Sequence, residues 1–334
     1  MGATLLDWLK RPSPAEWGLL AVLVLIVPAF ASDFWLVQVF ARSMILGLIA
    51  LGLTFLAGFA GIVSLAQMTL AGVAAYTVAI FTTGDAWPGF TLDPAITIPL
   101  ALLLAVLASV IVGWLAVRTT GIYTIMITLA IAVVFATFAR QNYTLMGGFT
   151  GFTEVWAPTI GETSLRMPLP FYFTCLVVTV IGYWAIRHLS RTPLGLSLQG
   201  IRDGARRMAS LGYHVHGHRI LAYAIAGLIA GAGGILMVWF NQRIDPSTVD
   251  VMPVINILII AVIGGLGHPI GAFIGAFIFV LLDIFAADLI PGARERFNLL
   301  IGLIFLLIVA FSRDGIVGIW QSYARAMRER EPDD

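Results

Sequence analysis

Long apolar stretches recur along the whole chain and are separated by short polar connections. Ten of them approach the length of a membrane-crossing helix, and they lie at about 17–32, 39–57, 62–82, 94–117, 120–139, 169–187, 219–240, 251–265, 269–288 and 297–312. A hydrocarbon core about 30 Å thick is crossed by roughly 20 helical residues. Because lipid offers the backbone no hydrogen-bond partners, such stretches must form helices. The pattern therefore predicts an all-α polytopic membrane protein with about ten crossings.

Two Gly-rich connections are too short and too uncharged to be ordinary loops. The first is GFAG at residues 58–61, and the second is GGLGHP at residues 264–269. Irregular backbone at membrane depth is tolerated only where it is buried in protein or lines a cavity. We therefore expect bent or discontinuous helices here, with five candidate pathway residues: Gly58, Gly61, Gly264, Gly265 and Gly267. Close helix packing through small residues is an equally good alternative.

Polar side chains inside the apolar stretches are the other candidates for solute contact. Ser64, Gln67 and Thr69 follow the first Gly-rich connection and could hydrogen-bond a polar solute without trapping it. They could also satisfy neighbouring helices, in bonds worth roughly 0.6–2 kcal/mol. Asp283 is the one acid in the interior of an apolar stretch. It could reach the interface or pair with Arg294 or Arg296, whereas contact with a substrate amine is less favoured.

The amino-acid composition is typical of a protein surrounded by lipid, and it argues against several other classes of protein. Of the 334 residues, 60% are hydrophobic and 11% are charged, whereas soluble domains carry about 25% charged residues. The net charge of +1 gives no indication of nucleic-acid binding. Cys175 is the only cysteine, so no disulfide framework is predicted. His214, His216 and His218 lie close together in the sequence, but no carboxylate or cysteine accompanies them as a further metal ligand. The sequence therefore favours a role in solvating a helix end over a metal site.

The distribution of Lys and Arg orients the chain. An even number of crossings places both termini on one side, and a cytoplasmic location leaves 13 of the 19 basic residues inside. Cytoplasmic loops are enriched in Lys and Arg, so we expect both termini in the cytoplasm. The expected organisation is an interfacial helix at residues 1–16, a membrane domain at 17–312 and a cytoplasmic tail at 313–334.

The longest cytoplasmic connection, residues 191–219, contains a candidate amphipathic helix. Its apolar face would consist of Ile201, Ala205, Met208, Ala209 and Leu211. The charged residues beside this face are Arg202, Asp203, Arg206 and Arg207, and Gly212 would end the helix. Such a helix can dock in a groove of another protein or lie on the membrane surface, and the sequence alone favours neither.

Any energy from ATP must reach this chain through another protein. It contains no G-x-x-x-x-G-K-[ST] phosphate loop, and its only lysine is Lys10. No Ser/His/Asp, His/Glu or Cys/His set converges in the apolar stretches either. We therefore expect neither an ATP-binding subunit nor an enzyme.

Five blocks of sequence occur in an order shared with one family. They are GFAGIVSLAQMTLAGVAAYTVA at 58–79, RTTGIYTIMITLA at 118–130, RTPLGLSLQGIRDGARRMASLG at 191–212 with a following Gly/Ala-rich stretch, VIGGLGHPIGAFIGA at 262–276 and LLIGLIFLLIVAFSRDGIVG at 299–318. Together they resemble the bacterial branched-chain amino-acid ABC permeases of the LivM/LivH type. The chain departs from the family pattern at residues 205–208, which implies a more basic docking surface, and at residues 66–68.

The resemblance implies a non-catalytic permease subunit of the bacterial inner membrane, with residues 17–312 as its permease domain. Such a subunit forms half of a translocation pathway that opens alternately to each side. The implied partners are a second homologous permease, identical or paralogous, two cytoplasmic ATP-binding subunits and a periplasmic solute-binding protein. No cofactor is expected in this chain, since ATP and Mg would bind to the partner ATPases. The coupling residues would be Ile201, Arg202, Asp203, Arg206, Arg207, Leu211 and Gly212.

The cargo implied by the resemblance is a branched-chain or other amino acid, with urea or a short amide as the alternative. A rival of another class is a secondary transporter or a channel, which could also contain bent Gly-rich helices. Ion coupling in such a protein would require intramembrane charges, and the sequence offers only Asp283.

Overall fold

The computed structural model of the protein describes residues 23–24, 27–84, 89–160 and 163–289, together with residues 302, 306, 315, 316 and 318. The expected interfacial helix at residues 1–16 lies outside these residues. Of the expected last crossing and the tail, only the five isolated positions are described.

Nine helices of three or more turns make up most of the described part of the chain. They are α1 (Trp35–Ala60), α2 (Gln67–Thr83), α3 (Pro94–Ala116), α4 (Ile122–Gln141), α5 (Pro168–Arg191), α6 (Pro193–Ser210), α7 (Val215–Asn241), α8 (Val251–Gly264) and α9 (Pro269–Leu289). Short helices occur at Val27–Phe30, Tyr143–Met146 and Pro246–Val249. The all-α prediction is confirmed for these residues.

Helices α1, α3, α4, α5 and α7 are long and apolar enough to cross a membrane. Helices α8 and α9 form a pair that is bent by 115° at the second Gly-rich connection, and α2 is an apolar helix of 17 residues. The structure thus supports a multi-span membrane protein, while the number of ten crossings stays a prediction.

Helix α7 occupies the centre of the bundle and contacts α1, α2 and α3. Its glycines allow this close packing. A Cβ atom at Gly231 would lie 2.8 Å from the Cβ of Ala105 in α3, and one at Gly233 would lie 2.6 Å from the side chain of Ile49 in α1. At Gly234 the added atom would clash with the backbone carbonyl of Ala71 in α2. The Gly-rich stretch in α7 is therefore a helix-packing surface.

The polar segment between α4 and α5 contains one small sheet of its own and is tied to the end of α7 by a second. Strand β1 (Phe152–Thr153) pairs antiparallel with β4 (Arg243–Ile244), and β2 (Thr159–Ile160) pairs with β3 (Thr163–Ser164). Asp245 follows β4 and accepts hydrogen bonds from Arg243, Ser247 and Thr248. Burial raises the pKa of Asp245, but these hydrogen bonds outweigh it and lower the pKa below its ordinary value.

The helix expected at residues 201–212 has different boundaries in the structure. It starts at Pro193, after an N-cap at Thr192, because proline is well suited to the first helical position. The backbone leaves the helical region at Gly204, which divides α6 into two parts. Ile201 is buried, whereas Leu211 is 72% exposed. The predicted start and end of this helix, and its course without interruption, are therefore wrong.

Replacement of Gly234 by leucine should destabilise the protein, because the backbone carbonyl of Ala71 occupies the place of the new side chain. Overpacking of this kind costs about 1–3 kcal/mol or more. Gly217 provides a control in the first turn of α7, where the nearest atom to an added Cβ is 3.9 Å away. We expect a lower melting temperature for Gly234→Leu in detergent and a neutral or slightly stabilising effect for Gly217→Ala. Equal melting temperatures would contradict this packing.

Candidate functional site

The two Gly-rich connections and helix α6 meet at one place, which we call the junction. It consists of residues 56–61, residues 264–268 and the part of α6 around Arg202. The Arg202 guanidinium donates a hydrogen bond to the Gly58 carbonyl oxygen. A Cβ atom at Gly58 would lie 3.1 Å from the Leu266 carbonyl oxygen, so the two connections are in direct backbone contact. The sequence identified all three segments, but only the tertiary structure brings them together.

The first connection begins at Gly61 and not at Gly58. Helix α1 continues through a π-helical turn at Leu56–Ala60, and Gly61 ends it with φ +67°. Only glycine adopts this conformation without strain, and a Cβ there would also lie 2.7 Å from the Cγ of Arg202. Residues 61–64 have no helical structure, and α2 starts at Gln67. Single π-helical turns occur frequently at functional sites.

The second connection forms a sharp turn between α8 and α9. Helix α8 ends at Gly264, and Gly265 adopts φ +113°. A Cβ atom at Gly271 would lie 2.7 Å from the Gly264 carbonyl oxygen, so the first turn of α9 packs directly against the end of α8. The expected bend is confirmed. Such a bent pair forms either a broken span or a re-entrant loop.

Helix α2 starts beside the middle of α1. The side-chain oxygen of Gln67 abuts Gly52, where an added Cβ would lie only 2.7 Å away. Gly52 is the eighteenth of the 26 residues in α1. The N-terminus of α2 is therefore placed inside the bundle, a geometry in which the helix dipole and free backbone N–H groups favour negatively charged groups.

The three predicted polar residues lie close together in this region and are all buried. The exposed fractions of Ser64, Gln67 and Thr69 are 0%, 1% and 3%. Neither the amide nitrogen nor the amide oxygen of Gln67 has a hydrogen-bond partner among the described residues, and the same holds for the Thr69 hydroxyl. A buried polar group without a partner costs about 1–3 kcal/mol. Water or a polar solute is the usual explanation of such groups.

Within the described part of the chain, Ser64, unlike Gln67 and Thr69, has a side-chain hydrogen bond to the surrounding structure. Its hydroxyl accepts a hydrogen bond of 3.3 Å from the backbone nitrogen of Ala66. The next residue, Leu65, donates its backbone N–H to the hydroxyl of Thr128 in α4 at 3.0 Å. The Tyr223 hydroxyl of α7 approaches Ser64 without a hydrogen bond of normal geometry. Ser64 therefore contributes to the structure of the connection, a role that the sequence left open.

Sequence reasoning missed two residues near the second connection. Arg187 is only 1% exposed, and its guanidinium carbon lies 5.8 Å from the ring centre of Trp184. Its charge also acts on His268, which is buried in the turn between α8 and α9. The sequence places Arg187 at the end of an apolar stretch, where an arginine is usually exposed. No local pattern could have indicated its burial.

Asp283 has a different partner from those expected. It forms an ion pair of 2.6 Å with Arg42 of α1, while Arg294 and Arg296 lie outside the described residues. The Nδ1 atom of His218 lies 2.9 Å from the His214 carbonyl oxygen, which is a local contact at the start of α7. Among the described residues, no group of three or more His, Cys, Asp or Glu side chains could hold a metal ion.

Comparison with known proteins identifies related chains. Residues 35–309 match the family of the branched-chain amino acid transport system permease component. The permease protein LivM of the high-affinity branched-chain amino acid transport system of Escherichia coli is 23% identical over 324 residues, which cover 90% of this chain and 74% of LivM. The autoinducer 2 import system permease protein LsrC of Enterobacter sp. is 28% identical, over 79% of this chain and 75% of LsrC.

A third relative is the ribose import permease protein RbsC of Haemophilus influenzae. It is 21% identical, over 79% of this chain and 81% of RbsC. No solved structure shows a significant match to this chain.

Replacement of Gln67 by leucine should leave the stability of the protein unchanged or raise it, because both polar atoms of the amide are buried without partners. Thr128→Val is the matched contrast, since it leaves the Leu65 N–H unsatisfied and should cost about 1–3 kcal/mol. Melting temperatures in detergent measure both effects. A marked loss of stability in Gln67→Leu would mean that the amide is needed for folding.

Proposed function

Because the chain belongs to the family of branched-chain amino acid transport system permease components, we propose that it is the membrane permease of a binding-protein-dependent ABC importer, in which it forms half of the translocation pathway. One observation carries this proposal, namely that Arg202 of helix α6 donates a hydrogen bond to Gly58 of the first connection, which in turn packs against Leu266 of the second. It provides a mechanical connection between a cytoplasmic surface and the interrupted helices.

The proposed mechanism begins at the exposed side of α6. Asp203, Arg206 and Arg207 are exposed and available to a cytoplasmic partner. We propose that two partner ATPases, which bind ATP and Mg, push on this surface and that the movement reaches residues 56–61 through Arg202. The backbone of Gly58 also packs against the Leu266 carbonyl oxygen, which would lie 3.1 Å from a Cβ atom at Gly58, so both connections would move together. Rigid-body motion around such a contact is a common mode of switching.

The proposed solute pathway passes the N-terminus of α2. It includes Gln67, Thr69 and Ser64, and it is bordered by the glycines of the two connections: Gly58, Gly61, Gly264, Gly265 and Gly267. Discontinuous helices that end near the middle of the membrane form the substrate sites of many transporters, and their N-termini bind anionic groups. The unpaired amide of Gln67 supports this assignment, because its hydrogen-bonding groups are free for a solute.

The proposed arrangement places both termini in the cytoplasm of a bacterial inner membrane. It comprises about ten crossings, an interfacial helix at residues 1–16, a permease domain at 17–312 and a tail at 313–334. The partners are a second permease, identical or paralogous, and a periplasmic solute-binding protein. The positive-inside distribution of Lys and Arg supports the orientation.

We propose a branched-chain or similar amino acid as the cargo. The family and the LivM relative support this assignment. Relatives named for autoinducer 2 and ribose import make a small polyol-type solute the second candidate. Urea or a short amide is the third. Uptake of labelled solutes by proteoliposomes that contain the complete complex separates these cargoes, and ATP-independent uptake by this chain alone would indicate a secondary transporter or channel instead.

Loss of the Arg202 side chain should uncouple ATP hydrolysis from transport. In Arg202→Met, the hydrogen bond to the Gly58 carbonyl is lost, and hydrogen bonds to charged groups are worth about 1.5–3 kcal/mol. We expect roughly a tenfold or greater fall in solute taken up per ATP hydrolysed, with the complex still assembled. Arg118→Met is the control, because Arg118 stacks on Trp114 of α3 and has no contact with the junction. Normal coupling in Arg202→Met would contradict the mechanism.

Charge reversal on the exposed side of α6 tests the docking surface itself. Arg206→Glu combined with Arg207→Glu should abolish co-purification of the ATPases, since like charges across an interface suppress association. Arg118→Glu is the control for reversal of a single charge outside α6. Unchanged ATP-driven uptake by the double variant would exclude this surface as the docking element.

A further inference from the structure

A second candidate site lies outside the junction, at a cavity of about 150 Å³. Arg42, near the start of α1, lines this cavity, whereas Gly58 of the junction lies 16 residues further along the same helix. At 1.5 Å per residue, the separation along the helix is about 24 Å. The cavity is lined by residues of five helices: α1, α2, α7, α8 and α9.

The walls of the cavity combine a few polar groups with a mainly apolar surface. The lining residues with polar side chains are Arg42, Asn241 and Asn256. The remaining lining residues are apolar, namely Ile45, Leu46, Met68, Met237, Phe240, Pro253, Ile257, Ile260 and Phe279. Small-molecule sites in proteins typically have this composition.

Arg42 is held in place by Asp283. The ion pair measures 2.6 Å, and the two side chains remain 30% and 27% exposed. Asp283 lies one helical turn beyond Phe279, which lines the cavity. A charge within an apolar span costs about 2.5–3.5 kcal/mol on the insertion scale, and such charges usually serve a function. A pair that only joined α1 to α9 would not need a cavity beside it.

The Arg42 guanidinium has N–H donors that the ion pair with Asp283 does not use. It presents five N–H donors, and the bond to Asp283 is formed through one terminal nitrogen. The remaining donors can bind a second carboxylate in the bidentate geometry that arginine favours. The side-chain oxygens of Asn241 and Asn256 can accept hydrogen bonds from an ammonium group. A cavity of about 150 Å³ with apolar walls can hold a benzene molecule, so the apolar walls here offer room for one small apolar side chain.

On the basis of the proposed function, we propose that this cavity is a binding site for a zwitterionic amino acid with an apolar side chain. The α-carboxylate binds to Arg42, the α-ammonium binds to Asn241 and Asn256, and the side chain contacts the apolar walls. Asp283 is a positioning residue, because it acts through Arg42. The inference assigns a role to an ion pair that the junction does not explain.

The cavity also reaches the proposed pathway. Met68 lines it, and Met68 follows Gln67 directly in the first turn of α2. A solute in the cavity would therefore lie next to the turn that carries the unpaired amide of Gln67 and the hydroxyl of Thr69. Methionine is flexible and unbranched, so its side chain can move without displacing the helix.

A thermal-shift experiment on the purified wild-type permease tests binding without the need for ATPases. The probes are L-leucine, leucinamide, which lacks the carboxylate, and 4-methylpentanoate, which lacks the amine. We expect L-leucine at millimolar concentration to raise the melting temperature by mass action, and we expect both analogues to have a much smaller effect. Equal shifts with leucine and leucinamide, or no shift with leucine, would overturn the proposal.

Variants of the ion pair separate a binding role from a structural role. Arg42→Gln should raise the KM for leucine uptake by the complete complex roughly tenfold or more, because the charged group that binds the carboxylate is lost. The charge-swapped variant, Arg42→Asp with Asp283→Arg, should recover the melting temperature but not leucine uptake. Recovery of both would mean that the pair only joins α1 to α9. The swapped variant also covers the case in which Arg42→Gln does not fold.

Different results would show that this site is wrong and that the proposed function is wrong. If the wild-type complex imports only urea, an amide or a sugar in an ATP-dependent manner, the importer assignment stands and the amino-acid site is wrong. If leucine stabilises the permease but no ATP-driven uptake occurs, the site stands and the importer assignment fails. Asn256→Leu provides an additional check, since it should weaken the leucine shift while leaving the Arg42–Asp283 pair intact.

Discussion

Backbone groups inside a membrane find no water, so every interruption of a helix must be satisfied by the protein itself. This constraint determines the arrangement of the whole chain. Where α1 ends, the carbonyl of Gly58 accepts a hydrogen bond from Arg202, and where α8 ends, Gly264 packs against Gly271. The interruptions therefore cannot lie against lipid. They are gathered at the junction, and the helix that satisfies one of them is α6, from the connection between α5 and α7.

The same constraint relates the contacts of α6 to the surroundings of the interrupted helices. The end of α1 is stabilised by a side chain of α6, so movement of α6 changes the environment of the interrupted backbone. The start of α2 lies inside the bundle, where the amide of Gln67 is buried without a partner. At the other end of α1, Arg42 pairs with Asp283 beside a cavity. Helix α1 thus contacts Arg202 near its end and carries Arg42, which lines the cavity, near its start.

Much of the fold could be predicted because its causes are local. The lengths of the apolar stretches predicted the helices that became α3, α4, α5 and α7, and the glycines at 264–267 predicted the bend of α8 and α9. The boundaries of α6 could not be predicted from its apolar residues, because Pro193 starts the helix and Gly204 interrupts it. Helix starts and kinks depend on single residues, whereas the apolar pattern averages over many.

The sequence by itself determined that the chain lies in lipid, that it is helical, where its helices break and to which family it belongs. These features follow from runs of residue types, which local physical chemistry converts directly into structure. Only the tertiary structure decided which residues meet: Arg202 with Gly58, Arg42 with Asp283, and Arg187 with the buried turn at His268. Such pairs join residues far apart in the chain, and their choice depends on how the helices pack. No local pattern encodes that packing.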